Sequence, residues 1–540
     1  MSGPLAHIPA VALWLCLLAV VGSVAGTAAV SARQAEDPAG PHPAARESMP
    51  GPPVLPPSTD TLRISLAEAV LSALERNPDL AIRRLDPVIA RTAVAEERAA
   101  FDPVLTASAD YSESQIRRFL GSQPQPYEIT SELTGYAAGV SLRLPTGTTV
   151  ALDAVVDRST SSIFASQYSG NIGLTLTQSL LRGFGFGANL ASLRRARLDL
   201  DISRAELRAF AERLVADTRA AYWRLYLAGE EVRIQEESLN LALRQKEESL
   251  VRIEVGRLAE VELAAVQAEV ARRGSALIDA RSAYEQARLD FLYLVDPQVR
   301  GSDDSPGQRA AAAPNWSTLV IPVDGPVIPA DTLEAVPVHE EVAVRFRPDL
   351  AQARLAYEQG EIEVARTGNG LLPRLDFFIT LGRTTYAETF RDALPEVDSP
   401  FRNVNLGLQF EFPLPDRGPR AAARRAKVSR EQLEQAVVNM NRLVRKDVRS
   451  GYVEVIRARR QIDATRATRE LEQANLDAEL EKFRVGRSTN LLVLQVQRDF
   501  IVSKLEEIRA VVGFLTALDD FYLTEGTLLE RQGIEVPGEI

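Results

Sequence analysis

One uninterrupted helical stretch, from Asn189 to Glu254, constrains this fold more than any other part of the chain. No proline occurs between Pro145 and Pro297. Apolar residues recur in it every seven positions in two registers, first Leu193, Leu200, Leu207, Leu214, Ala221 and Ala228, then Leu225, Val232 and Leu239. A heptad stripe this long is typical of a coiled-coil seam, and at 1.5 Å per residue the helix is roughly 100 Å long. We therefore expect an elongated protein, and a plain cytosolic coiled coil is the simplest alternative.

Composition excludes several classes of protein. The 540 residues carry a formal net charge of −11, with no basic block and no basic–aromatic interleaving, so no nucleic-acid partner is expected. Cys16 is the only cysteine, and His339 is the only histidine beyond residue 60. Counting alone thus argues against a disulfide, a histidine-based triad and a histidine metal site. We expect no cofactor, no metal and no catalysis.

The N-terminus has the pattern of a secretory signal peptide. An apolar run from Val11 to Val24 is shorter than the about 20 residues that a membrane span needs. Small residues follow it, so we predict a signal peptide over residues 1–32, with cleavage after Ala25 or Ala32; an uncleaved anchor is the alternative. Residues 33–60 are rich in Pro, Ala and Gly, which predicts a disordered linker.

The remaining chain contains two copies of one unit. Asn77-Pro78-Asp79-Leu80-Ala81 recurs as Arg347-Pro348-Asp349-Leu350-Ala351, and Val255-Gly256-Arg257 recurs as Val485-Gly486-Arg487. We predict a first repeat over 61–296, a linker over 297–338, a second repeat over 339–525 and a tail over 526–540. Each repeat ends in a long helical hairpin, and the two Val-Gly-Arg motifs form the hairpin tips.

Between its first helices and its hairpin, each repeat changes to a period of two. Residues 104–178 contain four half-apolar strands, and residues 375–412 contain two. Such strands after a signal peptide indicate an outer-membrane barrel, with a soluble sandwich as the alternative. Six strands are fewer than the eight of the smallest membrane barrels, so a barrel would need several chains.

These features together resemble the TolC family of outer-membrane efflux proteins. The resemblance covers about residues 62–525 and rests on the Asn77-Pro78-Asp79-Leu80 motif, the helix leading to Pro103-Val104-Leu105, the segment from Gln178 to Gly185, and the two tips. It implies a mainly α fold with β structure: a homotrimer whose helical hairpins form a periplasmic α-barrel continuous with a β-barrel in outer-membrane lipid.

The resemblance also implies a function and partners. The protein would be the passive exit duct of a tripartite efflux or type I secretion system, working with a periplasmic adaptor and an inner-membrane pump. Family members usually contribute four strands per chain, or twelve per trimer. This sequence has six predicted strands, so a trimeric barrel of 18 strands is the alternative to one of 12. A secreted periplasmic coiled-coil scaffold without a barrel is the rival interpretation.

Two sets of candidate site residues follow from the resemblance. The adaptor-docking set comprises the tip residues Val255, Gly256, Arg257, Val485, Gly486 and Arg487. The periplasmic constriction set comprises Glu260, Glu262, Phe483, Leu492 and Gln495. The alternatives are a glycine that merely reverses the helix and acidic residues that are simply solvated.

A glycine-rich segment, Gly183-Phe184-Gly185-Phe186-Gly187, lies just before the first long helix. It lacks the Lys-Ser/Thr pair of a phosphate-binding P-loop and the later acidic residue of a dinucleotide site. We expect it to let the chain turn from strand to helix at the membrane edge.

Overall fold

The computed structural model describes residues 61–118, 127–162, 164–255, 260–295, 316–330, 333–394 and 402–534. The predicted signal peptide and the Pro-rich segment after it lie outside these residues. Within them the fold combines long helices with an antiparallel sheet, as expected. No helix in the described ranges has both the length and the apolar character needed to cross a membrane.

Both repeats follow the order helices, strands, helical hairpin. The helices of the first repeat are Leu66–Arg76, Pro78–Arg83, Asp86–Ala99, Phe186–Asn189, Ala191–Glu254 and Val261–Val295. Those of the second are Val336–Phe346, Pro348–Asn369, Arg417–Arg484 and Asn490–Glu525, and a further short helix, Leu528–Arg531, lies in the predicted tail. Strand β1, Thr61–Ile64, pairs in parallel with β6, Leu319–Pro322. Strand β6 therefore lies inside the segment predicted to be a linker.

Local sequence signals set the ends of the first helices. Ser65 and Glu68 form a capping box, in which each side chain accepts a hydrogen bond from the other residue's backbone N–H. Asn77 caps the next helix by accepting from the Leu80 N–H at 3.1 Å. The helical path is interrupted between Arg83 and Asp86, just before Pro87, as expected from the restriction that proline places on its neighbours.

The remaining strands form one six-stranded antiparallel sheet in the order β2-β3-β4-β5-β7-β8. Their bounds are Val104–Arg118, Tyr127–Arg143, Thr148–Ser161, Phe164–Ser179, Arg374–Ala387 and Arg402–Glu411. Four strands come from the first repeat and two from the second. Because β5 pairs with β7, the sheet is continuous across the two repeats.

The sheet has one apolar and one polar face. A single row of directly paired residues crosses all six strands on the apolar face: Leu105, Val140, Leu152, Leu174, Leu381 and Val404. All six side chains are exposed in the protomer. The neighbouring row on the other face consists of Thr106, Gly139, Asp153, Gly173, Gly382 and Asn403. Alternation of this kind is the pattern of a strand with lipid on one side and water on the other.

Aromatic residues lie at one end of the apolar face. Tyr136 and Tyr168 both contact Phe390 edge-on, with ring centroids 5.7 and 6.3 Å apart. Aromatic girdles flank the apolar band of membrane barrels. The position of these rings therefore fits the edge of a lipid-facing band.

The heptad positions of the first long helix are buried as far as Ala228, except that Leu200 is half-buried. Beyond that point the buried stripe passes to Ile234, Ser238, Ala242 and Ser249. In the second predicted register Leu225 is buried, whereas Val232 and Leu239 are half-buried. In a straight helix of 3.6 residues per turn, positions seven residues apart are rotated by about 20° around the helix axis. A strict seven-residue repeat therefore moves away from the buried side of the helix over several heptads.

Candidate functional site at the hairpin tips

The tip of the second hairpin is a closed helix-reversal motif. The Arg487 N–H donates to the Lys482 carbonyl at 2.8 Å and the Gly486 N–H donates to the Phe483 carbonyl at 3.0 Å. This pair of bonds defines a Schellman motif. Gly486 has φ +78°, a left-handed conformation that glycine adopts without steric cost. The geometry of the turn thus favours glycine at this position.

A buried carboxylate fastens this tip. Glu479 is 3% exposed and accepts hydrogen bonds from the Ser488 hydroxyl and from Lys482 Nζ, the latter at 2.9 Å. These bonds lower the pKa of Glu479, with the Ser488 bond as the largest cause. The carboxylate is therefore held in its charged form, and it joins the end of one helix to the loop leading to the next.

The returning helix starts with its own cap. Thr489 accepts through its hydroxyl from the Leu492 N–H at 3.4 Å, and the helix runs from Asn490 to Glu525. Leu492 and Gln495, two of the predicted constriction residues, are exposed on its first turns.

The first tip is described in part. The Val255 N–H donates to the Val251 carbonyl at 3.1 Å, which closes the last turn of the outgoing helix. Gly256 and Arg257 lie outside the described residues. Glu260 is exposed and its carbonyl accepts from the Leu263 N–H at 3.0 Å, while Glu262 belongs to the returning helix.

The two hairpins contact each other just behind the tips. The Arg252 guanidinium of the first hairpin lies 5.0 Å from the centroid of the half-buried Phe483 ring of the second. Gln245 Nε2 donates to Asn490 Oδ1 at 2.5 Å. Phe483, predicted as an apolar narrowing, thus stacks against a cation of the neighbouring hairpin. No local sequence pattern indicates a role for Arg252, because such contacts depend on tertiary packing.

The valines at the two tips are prominent surface features. Val255 is 62% exposed and Val485 is 67% exposed. Arg484 and Arg487, both exposed, flank Val485. Exposed apolar side chains with charged neighbours suit a protein partner. Among the described residues, no group of three or more His, Cys, Asp or Glu side chains is arranged to hold a metal.

Buried charges lie far from the tips, where the hairpins meet the other helices. Arg219 Nε donates to Asp519 Oδ2 at 2.8 Å. Burial raises the pKa of Asp519 although Arg219 opposes this. Glu340 accepts from Arg449 at 2.5 Å and from Arg445 at 3.1 Å, and the hydrogen bond from Arg449 is the largest cause of its lowered pKa.

Glu212 is a further buried acid in this region. Its side chain is 2% exposed, and Arg208 Nε lies 3.1 Å from its Oε1. Burial raises the pKa of Glu212 to about 7, with Arg208 acting in the opposite direction. Arg208 therefore offsets only part of the free-energy cost of burying a negatively charged Glu212 side chain.

The fold defines a class of protein: a duplicated chain of helical hairpins joined to an antiparallel sheet with one apolar face. Comparison with protein families gives a match to "Outer membrane efflux protein" over residues 69–293 and 342–519, that is, in both repeats. The chain belongs to this family. It is a family of transport proteins rather than of enzymes.

Relatives and solved structures agree with this assignment. The chain is 24% identical over 420 residues to outer membrane efflux protein BepC of Brucella suis biovar 1 (strain 1330), covering 75% of this chain and 84% of that protein. The CmeC channel of Campylobacter jejuni superposes with a TM-score of 0.61 at 15% identity, covering 88% of this chain and 87% of its own. The open state of MtrE from Neisseria gonorrhoeae gives 0.59 at 18%, covering 86% and 89%. At these identities the structures show the shared fold.

Family membership settles the class of function and the location. The protein is an outer-membrane efflux channel subunit whose helical hairpins extend into the periplasm. The sheet, with its apolar face and aromatic end, is the part suited to lipid. These findings confirm the sequence predictions of the family, of a fold of helical hairpins with an antiparallel sheet, of an outer-membrane efflux channel subunit and of the location, while the trimer stays a prediction.

Proposed function

We propose that this subunit forms, as a homotrimer, the passive exit duct of a tripartite efflux or type I secretion system. The two hairpin tips dock a periplasmic adaptor, which connects the duct to an inner-membrane pump. Energy comes from the pump, because the duct itself carries out no reaction. The observation that best supports this proposal is the second tip, a closed turn with an exposed valine between two arginines.

The construction of the tip explains why it suits docking. The Schellman motif and the Glu479 hydrogen bonds order the turn before any partner arrives. A preorganised surface loses little conformational entropy on binding. Val255, Gly256 and Arg257 of the first tip repeat the same motif, so each chain offers two similar docking points.

The test is site-specific photo-cross-linking in cells. A photoreactive residue placed at Val485 is expected to capture the periplasmic adaptor. Val453 is the matched control, because it is as exposed as Val485, 67%, and lies on the same helix about 48 Å away at 1.5 Å per residue. Equal capture at both positions, or none at Val485, would contradict tip docking.

We further propose that Glu260, Glu262, Phe483, Leu492 and Gln495 narrow the periplasmic mouth of the trimer. Rings of acidic side chains select cations in channels. Phe483 is already held in place by Arg252. In single-channel recordings, Glu262→Gln is expected to lower cation selectivity more than Glu260→Gln. Unchanged selectivity in both variants would remove the acidic residues from the constriction.

A further inference from the structure

Strands β3 and β4 form a hairpin of the first repeat that has no counterpart in the second. A short turn joins them, in which the Leu144 N–H donates to the Thr148 carbonyl at 2.8 Å and the Gly147 N–H donates to the Leu144 carbonyl at 3.1 Å. Gly147 has φ +86°, which favours glycine. No helix follows β3 or precedes β4, so this hairpin adds to the sheet without adding to the helices.

The turn of this hairpin is built into the glycine-rich strand-to-helix junction. The Gly185 N–H donates to the Thr146 carbonyl at 3.0 Å, and the Ser179 N–H donates to the Gly147 carbonyl at 3.2 Å. A Cβ atom at Gly147 would lie 2.1 Å from the Gly183 carbonyl oxygen. The hairpin is therefore part of the structure that connects sheet and helices, and not an appended flap.

The two outermost strands of the sheet, β2 and β8, each have one edge without a strand partner in the part of the chain that the structure describes. In lipid, backbone N–H and C=O groups at an open edge have no water to bond to, so membrane sheets close into barrels. Six strands are too few for one chain to close alone. The edges must meet those of other copies.

We propose that three copies close an 18-stranded barrel, in which β8 of each copy pairs with β2 of the next. This inference rests on the homotrimer proposed above. Because neighbouring strands alternate in direction across the six, β8 and the β2 of the next copy are antiparallel, like every other pair in the sheet. The barrel then has a single type of strand pairing throughout.

Face alternation and charge select a register for this new pairing. Placing Glu411 opposite Val104 gives every residue of β8 a partner and places Arg402 opposite Glu113. An opposite-charge pair directly across two strands is favourable. In this register Val404 lies opposite Tyr111 of the next copy, which is six residues further along β2 than Leu105, the β2 member of the apolar row. Each of the three interfaces between copies adds a shift of six residues. Over 18 strands these shifts tilt the strands by about 35°, within the range of known barrels.

The strand number determines the width of the pore. With strands about 4.8 Å apart and tilted by about 35°, 18 strands give a barrel roughly 34 Å across the backbone, against roughly 22 Å for 12 strands. Three copies supply twelve long helices, and at about 9 Å between axes these form a ring roughly 34 Å across. The added hairpin thus makes the pore of the β-barrel as wide as the helical duct. Cargo that fills the duct therefore meets no narrower passage at the membrane.

Cysteine cross-linking tests the proposed edge pairing, since Cys16 is the only cysteine in the chain and lies in the predicted signal peptide. Combining Ala109→Cys with Leu406→Cys, which lie opposite each other in this register, is expected to give covalent trimers on oxidation of outer membranes. Ala109→Cys with Leu174→Cys is the matched control, because β5 already has partners on both sides. That pair is expected to give no cross-link.

The unmodified particle supplies a second measurement that does not depend on folding of the variants. A density map of the detergent-extracted protein is expected to contain 18 strands. A trimer with 12 strands, or with no β2–β8 cross-link in any register, would overturn the wide barrel while leaving the trimeric duct intact. A monomer released by carbonate would overturn both.

Discussion

The two repeats place the same arginine at the same point of their long helices but surround it differently. Arg219 is 15% exposed and reaches across to Asp519 on the returning helix of the other repeat. Arg449 is 69% exposed and pairs with Glu340 of its own repeat, which also holds Arg445. The long helix and its arginine both belong to the duplicated part of the sequence. The acidic partners of the two arginines, however, lie on elements that are not equivalent to each other. The first arginine therefore links the repeats, and the second stabilises only one of them.

The largest expected effect on the free energy of unfolding comes from removing the arginine that links the repeats. Arg219→Ala leaves Asp519 buried without its cation, which typically costs about 3–5 kcal/mol. Arg449→Ala should cost less than about 1 kcal/mol, because Arg449 is exposed and Arg445 still binds Glu340. The midpoint of thermal unfolding in detergent measures both variants. Equal shifts would mean that the two repeats are equally dependent on their arginines.

A second prediction concerns Glu212, whose place in the second repeat is taken by Arg442. Its raised pKa means that the folded state holds the proton up to about pH 7, whereas the unfolded chain releases it near 4.5. The stability gained from this proton is full below pH 4.5 and is lost as pH rises through about 7, by up to about 3 kcal/mol.

Glu212→Gln should remove this part of the pH dependence. Between pH 5 and pH 7.5 the wild type is expected to lose more thermal stability than the variant, measured as the difference between their unfolding midpoints. Parallel curves for the two proteins would show that Glu212 does not titrate as described.

The third prediction contrasts two glycines of the second hairpin. Gly486→Ala forces an L-residue into a left-handed conformation, at a cost of about 1–2 kcal/mol. Gly513→Ala is the control, because it lies in the helix with open space for a Cβ and should stabilise by up to about 1 kcal/mol. Hydrogen exchange should accelerate at residues 484–490 in the first variant only. Unchanged exchange there would contradict the strain argument.

The smallest effect is expected from the carboxylate that fastens the second tip, whose place in the first repeat is taken by Ser249. Glu479→Gln weakens the bonds to Ser488 and Lys482, so exchange at residues 484–490 should rise at pH 7. The lowered pKa means that this contribution is present above pH 4.5 and is lost as pH falls through the folded-state value. The difference between variant and wild type should therefore vanish in acid. A difference that persists there would point to packing rather than charge.

Sequence periodicity predicted most of the fold because periodicity reports local geometry. The capping box at Ser65 and Glu68 and the alternation from Leu105 to Tyr111 required no knowledge of distant residues. Strand β2 nevertheless continues to Arg118, since Ile116 is the only apolar residue beyond Tyr111 and the outer half therefore gives no alternating signal. Strand β6 was missed because its four residues lie within a proline-rich stretch.

The candidate site could be predicted only in part. The duplicated Val-Gly-Arg motifs located the tips, and the glycine at Gly486 has the conformation that a helix reversal needs. The residues that order the tip, Glu479 and Arg252, act through partners fixed by tertiary packing, which no local pattern encodes. The docking and constriction roles remain predictions that rest on the family resemblance.

The most direct test of the central claim is the mass and heat-modifiability of the detergent-extracted protein. An outer-membrane duct should resist carbonate, require detergent, migrate as a trimer without heating and dissociate to single chains when heated. A carbonate-soluble monomer or dimer would contradict the account and leave a periplasmic coiled-coil scaffold in its place.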